Sequence, residues 1–312
     1  MLRSMYSGIS GMKGFQNKLD VIGNNISNVN TYGYKKGRVT FQDMMSQSLS
    51  NSQGPTQDQA GTPLRGGTNP SQVGLGSQVS SIDNIHTQGN RQTTNRPLDL
   101  ALEGDGMFVL AEGNENAPIG QGFVDLQTAN TSFTRAGNFY LDNEGFIVNN
   151  DGKYLVGEGY QASGAAGTPN TSNGGASRIK VPTNAESFSI SNDGTVNYIN
   201  EFGESKVAGQ IRLAKFSNPG GLNKDGGNTF TNTDNAGIYS LAGDNQLSTL
   251  DDILVPGQEG AASVVSGALE MSNVDLSEEF TSMITAQRGF QANTRIITTS
   301  DEILQELVNL KR

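Results

Sequence analysis

The sequence predicts an α+β protein: paired terminal helices forming a coiled-coil domain, with a central antiparallel β-rich domain inserted between them. Three observations carry this. Apolar residues recur at helical spacing near both ends of the chain, and between them short apolar runs alternate and break at Asn- and Asp-containing Gly turns. The composition fits modest cores in a turn-rich body, with 34% apolar residues, 40 glycines among 312 residues, 13 Phe and 8 Tyr, and neither Trp nor Cys.

At the N-terminal end Leu2, Met5, Ile9, Met12, Phe15, Leu19, Ile22, Ile26 and Val29 step by threes and fours, the spacing of one helix face. The stripe stops where Asn24, Asn25, Asn28, Asn30 and Gly33 compete with helical hydrogen bonds and tolerate turns. Gly8, Gly11, Gly14 and Gly23 each lower helix propensity by ~1 kcal/mol relative to Ala. So weak a helix is expected to order on assembly.

The middle zone reads as short antiparallel strands. "LDLALEGDGMFVL" alternates Leu98, Leu100 and Leu102 before a turn at Gly104–Gly106, and "SFSISNDGTVNYI" is a hairpin around Asn192-Asp193-Gly194. Two stretches, 49–77 and 159–177, are rich in small polar residues and read as surface loops.

A second helix starts near Asp275, a candidate N-cap followed by Glu278 and Glu279. Leu276, Phe280, Met283, Phe290, Ile297, Leu304 and Val308 lie on its four-three stripe, and its length is roughly 50 Å at ~1.5 Å per residue. The predicted seam is therefore Leu2, Met5, Ile9, Met12, Leu19, Ile22, Ile26, Leu276, Phe280, Met283, Phe290, Ile297 and Leu304. Each such side chain is worth ~1.5–3 kcal/mol when buried, too much to leave wet, and a two-helix coil is marginal alone. The expectation is a polymer subunit.

Several chemistries are excluded. A net charge of −10 without a dense Lys/Arg patch excludes a nucleic-acid footprint. The absence of Cys removes thiolate chemistry and disulfides. His86, the single histidine, is read as a polar loop residue, so neither a histidine-based triad nor a multi-histidine zinc site is available. The Gly-Asp-Gly segment at 104–106 and the Gly-Leu-Gly segment at 74–76 are turns, and the Asp-Gly turns miss the ligand spacing of a calcium loop. No cofactor, metal or catalytic residue is expected. No stretch approaches the ~20 apolar residues of a membrane span, and the opening residues lack the pattern of a cleaved signal, so no membrane insertion is expected.

The opening "MLRSMYSGISGMKGFQNKLDVIGNNISNVNTYGYKKGRVTFQDM" resembles the N-terminal signature of bacterial flagellar axial proteins, the rod and hook family, through Asn24, Asn25, Asn28, Thr31, Gly33, Tyr34 and Lys35. Residues 272–276 (Ser-Asn-Val-Asp-Leu), Gln287-Arg288-Gly289-Phe290 and Thr298-Thr299-Ser300-Asp301 resemble its C-terminal signature. "LDLALEGDGMFV" and "FTRAGNFYLDNEGFIV" resemble its β domain.

The resemblance implies that residues 1–30 and 272–312 form an inner-tube helical domain. Residues 31–77 are then a connector with a flexible loop, and 78–271 a β-rich outer domain with a polar insertion near 159–177. It implies a structural role and no enzyme activity, in a helical homopolymer of the hook or basal body, outside the cell after type III export. The implied partners are further copies of the chain, rod proteins, hook cap and hook–filament junction proteins, and the export apparatus. Phe41 and Met45 resemble the gate-recognition element of exported subunits, although an amphipathic turn in a connector accounts for them as well. "GGTNPSQVGLGS" and "LVNLKR" resemble short Gram-positive hook proteins, which makes a torque-transmitting hook subunit the first expectation. The long 49–77 segment, typical of distal rod proteins, makes a rod drive shaft the alternative. A secreted β-rich adhesin is the remaining reading, and it would need terminal helices folded in the monomer.

Overall fold

A computed structural model describes residues 2–57, 63–112, 124, 126, 129–161, 171–240, 247 and 249–310. They divide into two compact units. One comprises residues 1–27, 37–84 and 275–312, and the other residues 28–36 and 85–274. The chain is thus α+β, with two long helices and a large antiparallel sheet system.

The first unit contains α1 (Leu2–Ser27), α2 (Leu276–Leu310) and a two-stranded ribbon. Asp275 caps α2, its Oδ1 accepting the Ser277 amide at 2.8 Å and the Glu278 amide at 3.4 Å, as the Asp-x-x-Glu spacing predicts. The ribbon departs from expectation. Gly37–Asp43 pairs antiparallel with Ser77–Asn84, Ser46–Ser50 with Ser71–Gly74, and Thr56–Gln57 with Pro63–Arg65. Parts of 49–77 are therefore paired strand, and the ribbon belongs to the unit of the helices rather than forming a separate connector. Ser46–Ser50 and Ser71–Gly74 are exposed throughout, so their composition carries no apolar alternation to reveal them.

The second unit is built on a twelve-stranded antiparallel sheet. Its main path runs through Ser187–Ile190, Thr195–Ile199, Ser205–Ile211, Tyr154–Gln161, Met107–Glu112, Asn130–Thr134, Thr229–Thr231 and Asn223–Gly226. The strand Met107–Glu112 is buried on both faces: Phe108 and Leu110 enter one apolar cluster, Met107, Val109 and Ala111 the other. That explains its unbroken apolar run. The predicted hairpin is present, Ser187–Ile190 pairing with Thr195–Ile199 across a turn whose Gly194 has φ +77°. The polar insertion near 159–177 also departs from expectation. Tyr154–Gln161 and Thr171–Arg178 are paired strands, while 162–170 lie outside the described residues.

Candidate assembly site

Within the first unit α1 and α2 run antiparallel, with Gly8 opposite Ile297, Phe15 opposite Gly289 and Asn25 opposite Glu279. The close approach comes from missing side chains. A Cβ on Gly289 would stand 2.6 Å from the Phe15 ring, and one on Gly11 3.0 Å from the Asn293 amide. Thr294 donates to the Met12 sulfur at 3.3 Å, and Ala286 and Ser300 are buried.

The predicted seam residues separate into two groups. Ile22 is buried, while Met5, Met12, Leu19, Ile26, Met283, Ile297 and Leu304 are half-buried. Ile9, Leu276, Phe280 and Phe290 remain exposed in the single chain, Phe280 by 50%. The side chain of Leu2 lies outside the described residues. Sequence reasoning missed Gly11, Ala286, Gly289 and Asn293 because a periodicity scan weighs apolar side chains. The helical position of Gly289 beside Phe290 was the available signal. Exposed apolar residues continue along α2 through Ile284, Ile296, Ile303, Leu307 and Leu310. A face of that extent marks an interaction surface.

Phe41 lies on the strand Gly37–Asp43 rather than on a turn, its ring 5.8 Å from that of Phe15. Met45, just beyond that strand, is 83% exposed.

The asparagine element straddles the two units. Asn24 is exposed. Asn25 is buried and mimics a strand partner: its Nδ2 donates to the Gly37 carbonyl and its Oδ1 accepts the Gly37 amide, both at 2.9 Å. In the second unit Thr31 donates to the Asn28 side chain at 3.1 Å, closing the turn that leads to Lys35.

Lys35 is fully buried and donates to Glu270 Oε1 at 2.6 Å and to the Thr87 carbonyl at 2.8 Å. Arg135 donates to the other Glu270 oxygen at 3.1 Å and to the Gly104 carbonyl at 2.6 Å. The Gly89 amide donates to Glu270 Oε1 at 3.0 Å. Gly33 (φ +71°) donates its amide to the Glu270 carbonyl, and a Cβ there would stand 2.6 Å from the Ala136 nitrogen. Burial pushes the Lys35 ammonium below the usual lysine range, against the opposing pull of Glu270. Asn273 completes the arrangement, accepting the Lys36 amide and donating to the Ile85 carbonyl, both at 2.8 Å. Within the second unit, residues distant in sequence are thereby tied together.

His86 lies in a loop, as expected, but is half-buried there. Its ring lies 5.4 Å from that of Phe230, tilted by 57°, and neither ring nitrogen has a hydrogen-bond partner. Burial, then the charges of Lys35, Arg135 and Lys224, lower its pKa to about 4. Among the described residues no group of three or more His, Cys, Asp or Glu side chains is placed to hold a metal ion, and no helix is long and apolar enough to cross a membrane.

Three family models match the chain. Residues 5–35 match the flagella basal body rod protein model, residues 119–198 the flagellar hook protein FlgE/F/G D1 domain, and residues 265–310 the flagellar basal body rod FlgEFG protein C-terminal model. The flagellar basal-body rod protein FlgG of Bacillus subtilis is 49% identical over 312 residues, covering all of both chains. The flagellar hook protein FlgE of Borreliella burgdorferi is 31% identical over 459 aligned positions, again covering all of both chains. FlgG of Caulobacter vibrioides is 33% identical over 311 residues, 99% of this chain and all of the relative.

Proposed function

Because the chain belongs to the flagellar rod and hook protein family, a set of structural components of the flagellar basal body and hook rather than enzymes, we propose that it is a subunit of the distal rod. The observation carrying this reading is the 49% identity, end to end, with a protein named for the basal-body rod. The ribbon of residues 37–84 adds support. It gives each subunit a second extended element beside its helices, suited to stiffening a shaft that carries torque.

In this reading α1 and α2 pair as a coil and line the inside of a tubular polymer. The Lys35–Glu270–Arg135 cluster stiffens the second unit from within. Copies of the chain, other rod proteins, hook and junction proteins and the type III export apparatus are the partners.

A bendable hook is the second reading. It is favoured by the whole-chain alignment with the Borreliella hook protein and by the "GGTNPSQVGLGS" and "LVNLKR" segments. A single cysteine separates the two. Glu201 is exposed and the chain has no native cysteine, so Glu201→Cys labelled on intact cells with a membrane-impermeant thiol dye reports that site alone. Label that enters only after the envelope is breached is the rod result. Puncta at the bases of filaments are the hook result. Dye spread through the medium, with no puncta under either condition, would sink both.

A further inference from the structure

Among the described residues, the antiparallel register leaves the last turns of α2 without a partner helix. With Gly8 opposite Ile297, the start of α1 stands opposite about residue 303, and the last turns of α2 run on for ~10 Å. This projecting end is amphipathic in an unusual way. Ile303, Leu307 and Leu310 make an exposed apolar stripe, flanked on one side by Glu302 and Glu306.

Elsewhere in the same unit lies a groove of matching character, with a volume of about 370 Å³. Tyr6, Ile9, Met44 and Leu75 form most of its walls, and Arg3 and Lys13 supply its charged groups; no acidic residue lines it. Tyr6 is 69% exposed, an unusual fate for an aromatic ring. The projecting helix is continuous with α2 and carries its stripe away from its own α1, so it cannot fold back into this groove without breaking.

We propose that the projecting end of α2 in one copy docks into the Tyr6–Leu75 groove of a second copy, with Glu302 and Glu306 facing Arg3 and Lys13. Apolar stripe meets apolar wall and acidic flank meets basic rim, so the contact is complementary in both chemistry and sign. Donor and acceptor are different surfaces of the same chain. Such a head-to-tail contact is heterologous, the kind that builds an open helical array when its rotation does not close. The proposal rests on the polymer reading above and names the partner surface that reading leaves open.

The test mixes two full-length chains, one carrying Tyr6→Cys and the other Leu307→Cys, assembles them in cells and oxidises the isolated axial structures. Disulfide-linked dimers are expected, about tenfold above a control pair of Tyr6→Cys with Phe202→Cys, since only neighbouring thiols close the bond. Lys13→Glu should abolish the cross-link and Lys13→Glu with Glu306→Lys should restore it. Axial structures that form normally without the cross-link overturn the docking while leaving the polymer reading intact. Chains that enter no axial structure, native or variant, overturn both.

Discussion

The Lys35 ammonium stands 2.6 Å from the Glu270 carboxylate, and neither side chain is reached by water. Two ions out of water repay their desolvation only when every remaining donor and acceptor is satisfied. Here Glu270 also receives Arg135 and the Gly89 amide. Removing the negative partner leaves two buried cations facing each other. Glu270→Gln is therefore expected to cost ~3–5 kcal/mol in urea unfolding. The exposed Arg38–Asp83 pair is the contrast, and Arg38→Ala should cost under ~1 kcal/mol. A loss below ~1 kcal/mol for Glu270→Gln would refute this account of the cluster.

Gly33→Ala meets two obstacles, a left-handed backbone and a neighbouring nitrogen 2.6 Å from the new methyl. Gly203 shares the first (φ +74°) with open space around it. Gly203→Ala should cost ~1 kcal/mol and Gly33→Ala distinctly more, from the strain of a forced φ plus a backbone shift. Equal losses in thermal denaturation would mean that the contact with Ala136 relaxes freely.

At the helix crossing, Gly289→Val pushes a branched side chain into the Phe15 ring and should separate α1 from α2. Gly23 has nothing within 4 Å of its would-be Cβ, so Gly23→Ala should stabilise α1 by up to ~1 kcal/mol through propensity alone. Helical content on heating, followed by circular dichroism, should move in opposite directions for the two variants.

Ile22 and Phe290 were grouped as one seam by spacing, yet one is buried in the single chain and the other 36% exposed. Ile22→Ala should destabilise the subunit itself by ~2–5 kcal/mol. Phe290→Ala should leave subunit stability within ~1 kcal/mol and impair polymerisation, read by sedimentation. Normal polymerisation of Phe290→Ala would remove Phe290 from the intersubunit contact.

His86 makes stability depend on pH in a definite direction. Its folded pKa of about 4 lies below the ordinary 6.5, so between these values the unfolded chain binds the extra proton. The contribution is fully present above pH 6.5 and is lost as pH falls through about 4. The slope is at most ~1.4 kcal/mol per pH unit, reduced because the ring is partly open to solvent. His86→Phe should flatten that part of the stability curve relative to the native chain. Superimposable curves would mean that the fold leaves the His86 pKa at its ordinary value.

Periodicity and capping sufficed for the elements whose signal is local. α1, α2, the Asp275 cap and the hairpin around Gly194 each follow from residues within a few positions of one another. The helix crossing was not legible, because glycines that weaken an isolated helix become its closest contacts once another helix lies against them. Nor was the ribbon of residues 37–84, whose outer strands bury no stripe and so leave none in the sequence.

By itself, then, the sequence determined the secondary structure of the ends, the turn-rich β character of the middle and the family signatures, since all are written in short-range pattern. Only the tertiary structure decided that Lys35, Arg135 and Glu270 share one dry site, that His86 is held neutral beside them, and which apolar residues of the helices are left for a neighbour. Burial and charge pairing between residues 135 and 235 positions apart depend on where the chain returns, and no local pattern encodes that.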